Sequence, residues 1–217
     1  MRTLTPLEAR VLGVLVEKQS TVPDIYPLSL NALLAGCNQK TARHPVIEAG
    51  EPDVQTALDG LRMLSLVVPV SGSRVTRYEH NAPRALGLPG AAVALLAVLM
   101  LRGPQTAAEL RQHSERLHRF ADVSSVEGFL EELAAKEPPR VQKLPRAPGS
   151  RESRWAHLLC GELPHMGEEA GASDVVRDLG HGELAAVKAE LARLAAEVQA
   201  LRTQVHRLNT ELGLQAD

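Results

Sequence analysis

The sequence predicts a mainly α chain with small β-hairpins, an α+β fold in which one module is used twice and a coiled-coil helix closes the C-terminus. Three observations carry that expectation. Gly72–His80 ("GSRVTRYEH") and Gly149–His157 ("GSRESRWAH") match in register. Helix-start signals and apolar stripes recur upstream of both. From Leu184 onward the apolar residues step by three and four without a break.

The duplication extends beyond the two nine-residue phrases. "LTPLEARVLGVL" from Leu4 pairs with "LPGAAVALLAVL" from Leu88, an offset of 84. "SLNAL" from Ser29 pairs with "TAAEL" from Thr106 at 77, and "VQTALDGL" from Val54 with "VEGFLEEL" from Val126 at 72. The nine-residue phrases return to 77. Four blocks in one order indicate a copied module whose loops have drifted in length.

Taken in order, Thr5-Pro6-Leu7-Glu8 forms a capping box with proline at the first helical position, and Leu7, Val11, Leu12 and Leu15 continue the helix. The third helix of the first copy carries Val54, Ala57, Leu58, Leu61 and Leu64 at helical spacing. "LVVPVSGSRVTRYEH" then turns to extended character, with Gly72 in the turn and Val75, Arg77 and Glu79 alternating. In the second copy Ala91–Leu101 is apolar on every side and reads as a helix buried between layers; eleven residues are too few to cross a bilayer, which takes about 20. Thr106–Glu109 and Ser124–Glu127 read as capping boxes. Helix, helix, helix, hairpin is the winged-helix arrangement. The expectation is a first winged-helix domain at residues 1–84, a second at 85–163, a Gly- and acid-rich linker at 164–181 and a coiled-coil helix at 182–213. The aromatic of each repeated phrase is expected to pack on its domain, with arginines flanking the hairpin tip.

"LTPLEARVLGVLVEKQ", "YPLSLNALLAGCNQKTARHPV" and "LRGPQTAAELR" also resemble the YceH-like family of bacterial proteins, over roughly Leu4 to Glu162. The resemblance implies a tandem winged-helix fold and brings no established biochemical activity with it.

The tail has its seam at Leu184, Val187, Leu191, Leu194, Val198, Leu201, Val205, Leu208 and Leu212. With Leu184 at position a, a parallel pair sets Glu183 against Lys188 and Glu197 against Arg202, whereas an antiparallel pair opposes like charges. The expectation is a homodimer through a parallel coiled coil; the alternative is an amphipathic helix folded back on its own domain.

Chemistry is sparse. His113 and His118 are five apart, a poor helical spacing for a shared metal, and no phosphate loop, nucleophile elbow or dinucleotide fingerprint occurs. No cofactor, metal or catalytic residue is expected, and the chain reads as a non-enzyme. Glu8, Arg10 and Glu17 break the N-terminal apolar run, and Cys37 and Cys160 have no ligand spacing; both features point to a cytoplasmic protein with free thiols. Two per cent aromatic content argues against single-strand binding by stacked rings.

Residues 1–80 carry net charge 0, 81–163 carry +2 and 164–217 carry −4, so contact with duplex DNA would rest on local patches. Two are candidates: Lys136–Arg154 with Arg140, Lys143, Arg146, Arg151 and Arg154, joined by Arg74 and Arg77 of the first hairpin; and the loop Asn38, Gln39, Lys40, Arg43. Against them, the third helices present Asp53 and Asp59 in one copy and Glu127, Glu131 and Glu132 in the other, carboxylates that phosphates repel. The expected function is a regulator touching duplex DNA through wings and the basic loop; the alternative is a protein–protein adaptor on the same scaffold without DNA contact.

Overall fold

The computed structural model describes residues 2–70, 75–146 and 152–161. Helix α1 (Pro6–Thr21) starts as its sequence requires: the Thr5 hydroxyl accepts from Glu8 N at 3.1 Å, and the Glu8 carboxylate accepts from Thr5 N at 2.8 Å. Arg2 closes the same corner with two hydrogen bonds to Glu8, so this buried carboxyl sits below its ordinary pKa, first through that pairing. From Glu8 to Val16 every residue of α1 is buried. Helix α5 (Gly90–Arg102) is buried just as thoroughly, from Ala91 to Leu101, because the two helices pack on each other at the centre. Gly13 makes their approach feasible: a Cβ there would lie 3.0 Å from Leu101 Cδ2.

The remaining elements dress this pair. A 3₁₀ turn at Pro23–Ile25 leads to β1 (Leu28–Ser29), and Ser29 caps α2 (Leu30–Cys37). A long loop then reaches α3 (Glu51–Met63), which buries Val54, Ala57, Leu58 and Leu61 as its stripe demands. Strands β2 (Val67–Val70) and β3 (Arg77–His80) pair antiparallel, and β1 adds to β3, giving the order β1-β3-β2. Short α4 (Ala82–Leu86) ends at Gly87, whose φ of +63° suits glycine, and α5 follows.

The second half repeats the order: α6 (Ala107–Ser114), α7 (Val123–Ala134), then β4 (Val141–Lys143) paired antiparallel with β5 (Trp155–His157). In place of β1 a single bridge joins Gln105 to Trp155. Leu28↔Tyr78 and Gln105↔Trp155 are equivalent pairs, both shifted by the 77 residues that separate the repeated phrases. Tyr78 and Trp155 are both buried, as expected of the repeated aromatic.

The architecture is α+β, helices with small antiparallel sheets. Residues Met1–Glu162 form one compact unit. The expected boundary at 84/85 falls inside α4, and the halves on either side share the α1–α5 core; Leu4 N also donates to Leu159 O at 2.8 Å. One cap differs from expectation. Helix α7 begins at Asp122, whose carboxylate accepts from Ser125 N at 2.7 Å, so Ser124 lies inside the helix. The negative charge of Asp122 is additionally favoured by the positive end of the helix dipole. The expected linker at 164–181 and the seam Leu184–Leu212 lie outside the described residues.

Candidate nucleic-acid interface

The loop between α2 and α3 is expected to offer Asn38, Gln39, Lys40 and Arg43 to a duplex, and three of these four face the protein instead. Asn38 spends both ends of its amide on Ala49, donating to its carbonyl at 2.9 Å and accepting from its N–H at 2.8 Å. That pair of hydrogen bonds closes the loop on itself and fixes the amide against Ala49. Gln39 accepts from Lys18 Nζ at 3.4 Å and donates to Thr41 at 3.1 Å. Arg43 has a fully buried side chain. Its Nη2 pairs with Glu17 Oε2 at 2.5 Å and its Nε donates to Gly36 O at 3.0 Å. A guanidinium so enclosed cannot reach a phosphate. Lys40 alone of the four is exposed.

The hairpin arginines are also occupied. Arg77 Nη1 donates to Pro27 O at 2.8 Å and to Ile25 O at 3.0 Å. Arg154 Nη1 donates to Pro104 O at 3.3 Å and pairs with Glu109 at 3.6 Å. Pro27 and Pro104 are themselves 77 residues apart, so the repeated Arg-aromatic pair holds its strand to the segment before each second helix. The repeated letters therefore record an internal clasp, and phosphate binding is not needed to explain them. Arg140 is half-buried with Nε unpartnered among the described residues. Lys143 stands 5.3 Å over the Trp155 ring, and Arg146 is exposed. Arg74 and Arg151 lie outside the described residues.

The repeated histidines end each hairpin. Burial pushes both His80 and His157 down to about 4, so both are neutral at pH 7. His80 Nε2 meets Gln19 Oε1 at 2.8 Å, while Nδ1 accepts from Ala82 N at 3.4 Å. Cys37 and Cys160 are free thiols, and burial raises Cys37 to about 11, far from a nucleophile's range. Among the described residues, no group of three or more His, Cys, Asp or Glu could hold a metal ion. No helix there is long and apolar enough to cross a membrane.

Two features escape a reading of the sequence. Between the end of α3 and edge strand β2 runs an open groove of about 540 Å³, lined by Asp59, Arg62, Met63, Ser65, Val67, Val68 and Pro69. Met63 is 84% exposed and Val68 39% exposed, so apolar surface faces solvent at the rim. The available signal was Met63 itself, an apolar residue that falls off the Val54-Leu58-Leu61 stripe. The second feature is Arg102, half-buried at the end of α5, whose guanidinium makes no hydrogen bond among the described residues.

These observations define a duplicated three-helix-and-hairpin protein with inward-turned arginines. The chain belongs to the family described as "Protein of unknown function, DUF480", whose model matches residues 4–150. It is 68% identical over 191 residues to a UPF0502 protein of Leptothrix cholodnii, covering 87% of this chain and 86% of that one. It is 63% identical over 218 residues to a UPF0502 protein of Burkholderia multivorans, covering all of this chain and 92% of that one. These relatives agree with the YceH-like resemblance, a family of uncharacterised function.

Proposed function

We propose that this chain is a non-enzymatic tandem winged-helix protein that binds a partner protein through the third helix and hairpin of its first half. The observation that carries the reading is the groove between α3 and β2, with Met63 and Val68 exposed beside Asp59. Exposed apolar side chains beside polar ones are a combination that protein-binding surfaces present. At the groove Asp59 pairs with Arg62 at 3.2 Å, so the charges on its rim offset each other and the fitting partner segment is an apolar one. Pro69 in β2 lacks an amide donor, which disfavours pairing by an added strand and favours side chains seated in the groove.

The duplex-DNA reading rests on fewer groups than the sequence offers. Lys40, Lys143 and Arg146 are exposed, and an exposed basic hairpin is what would favour it. Arg43, Arg77, Arg154 and Asn38 are committed elsewhere. In this reading the Leu184–Leu212 seam makes a parallel homodimer that presents two grooves, and sedimentation of a chain ending at Gly180 should then give monomer.

The two readings separate with three baits in quantitative affinity purification: the native chain, Met63→Asp and Lys40→Glu. A partner retained by the first and third but depleted about tenfold on the second, roughly 1.4 kcal/mol of affinity, supports the groove. The parallel measurement is fluorescence anisotropy of a labelled duplex across a salt series. Affinity that falls steeply with salt and is lost in Lys143→Glu/Arg146→Glu would replace the protein-binding reading with the nucleic-acid one.

A further inference from the structure

We infer that the pocket between the end of α6 and the loop leading into α7 is a binding site for a small free α-amino acid. Arg111 and Arg119 take its carboxylate, Glu115 its ammonium and Phe120 its aliphatic part. The pocket is lined by Arg111, Gln112, Glu115, Arg119 and Phe120 and has a volume of about 150 Å³, room for a group about the size of benzene. It lies in the second half of the protein and shares no residue with the groove beside Met63.

The pocket is shaped by a fixed floor and a sharp turn. Phe120 is buried and held edge-on by Phe129 at 5.7 Å and His118 at 4.7 Å. The chain leaves α6 tightly, with Leu117 N and His118 N both donating to Ser114 O at 2.8 Å. Arg111 and Glu115 are four residues apart, a spacing at which opposite charges on a helix ordinarily meet. Here Arg111 Nη2 donates instead to Ala121 O at 3.2 Å, in the loop on the other side of the turn. Among the described residues, the side chains of Gln112, Glu115 and Arg119 make no hydrogen bond or ion pair. Charges of both signs thus line one small cavity without bridging each other.

The scaffold itself does not require this lining. Helix α2, the first-half counterpart of α6 at the offset of 77, carries Leu34 and Ala35 where α6 carries Arg111 and Gln112. The sign pattern selects the ligand. A phosphate would meet the Glu115 carboxylate as a like charge, and a simple amine would meet two guanidiniums. A molecule with a carboxylate and an ammonium on one carbon meets each with its opposite. Guanidinium forks match the two oxygens of a carboxylate, and the Gln112 amide offers a donor and an acceptor beside them. Apolar floor with a few convergent polar groups is the usual make-up of a small-molecule site, and the volume restricts the side chain to a short one.

The test is a ligand-observed NMR titration of the full chain with glycine, alanine, valine and leucine. Isovalerate, which is valine without its ammonium, and isobutylamine, which is valine without its carboxylate, serve as controls. Valine should bind, and each control should bind about tenfold more weakly, since each loses one charge-assisted contact. Arg119 and Glu115 are exposed, so Arg119→Gln and Glu115→Gln should both fold normally. The first should lose valine and isovalerate alike. The second should weaken valine about tenfold and leave isovalerate unchanged or tighter. No binding of any of the four amino acids up to about 10 mM overturns the site. So does valine binding no better than either control, or binding that survives Arg119→Gln. Met63→Asp should leave every one of these titrations unchanged, so the fate of the groove is read separately.

Discussion

The two halves of this protein hold the connection between their second and third helices by different chemistry. In the first half a loop running from Asn38 to Gly50 is anchored by charge: Arg43 reaches inward to Glu17, and Arg10 grips Pro45 O from below. In the second half the stretch from Glu115 to Asp122 is anchored by an aromatic ring. Phe120 is 4% exposed and meets Phe129 edge-on at 5.7 Å and His118 at 4.7 Å. The nearby guanidinium, Arg111, makes an exposed bond to Ala121 O at 3.2 Å. Copied modules keep their helices and hairpins because burial stripes enforce them, while a loop needs only some group that fills the gap beneath it. The lesson for function is direct: Arg43 in the first loop is an anchor, while Lys40 three residues before it, and Arg116 and Arg119 in the second loop, are surface.

The largest effect expected from this contrast is at the anchors. Arg43→Ala leaves Glu17 with Lys18 at 3.6 Å as its remaining ion-pair partner, frees the Gly36 carbonyl, and should cost about 3 kcal/mol in urea unfolding. Phe120→Ala should cost about as much, by leaving a cavity instead of a broken ion pair. Arg111→Ala should cost less than about 0.5 kcal/mol, as exposed groups do. A small loss at Arg43 together with a large one at Arg111 would reverse the comparison. Arg43→Met sharpens it, because an apolar replacement fills space yet cannot neutralise Glu17.

Legibility in the sequence follows the same division. Helices α1, α3 and α5, the caps at Thr5 and Thr106, and the paired hairpins were readable because each depends on local pattern: a stripe, a box, a duplicated phrase. The buried aromatics Tyr78 and Trp155 were readable for the same reason. The direction in which Arg43, Arg77 and Asn38 point was not, because their partners, Glu17, Pro27 and Ala49, are brought close only by tertiary folding. Charge written in a loop tells nothing of whether water or a carboxylate will meet it. The groove at Met63 is intermediate, since one residue off its stripe hinted at it and only the fold placed Val68 and Pro69 alongside.

A middle-sized effect separates the two hairpins. Arg77 holds two carbonyls at 2.8 and 3.0 Å, backed by the three-stranded order β1-β3-β2. Arg154 holds one carbonyl at 3.3 Å and a half-exposed carboxylate, and a single bridge stands in for the third strand. Charged-donor hydrogen bonds contribute about 1.5–3 kcal/mol, and exposed ion pairs under about 1. Arg77→Ala should therefore destabilise more than Arg154→Ala, and amide exchange should quicken first in β2 and β3 for the former, in β4 and β5 for the latter. Equal losses would mean that the clasp is generic to both copies and indifferent to its geometry.

The smallest effect at neutral pH concerns the repeated histidines, which share a position and differ in partners. Both titrate at about 4 in the folded chain against an ordinary 6.5. Between those values the unfolded chain binds a proton that the folded chain does not, so stability is complete above about pH 6.5 and falls as the pH drops toward 4. Below about 4 both states are protonated and the loss levels off. Each histidine should contribute to this slope, and replacing either with leucine should flatten part of it in thermal melts from pH 7 to pH 4. At pH 7 the two should diverge. His80→Leu removes the bonds to Gln19 and Ala82 N and should cost about 1 kcal/mol. His157 keeps Nδ1 buried with no hydrogen-bond partner among the described residues, so His157→Leu relieves an unpaired polar atom and should be neutral or stabilising. A loss at His157 as large as at His80 would place a common duty on the duplicated residue, beyond closing the end of a strand.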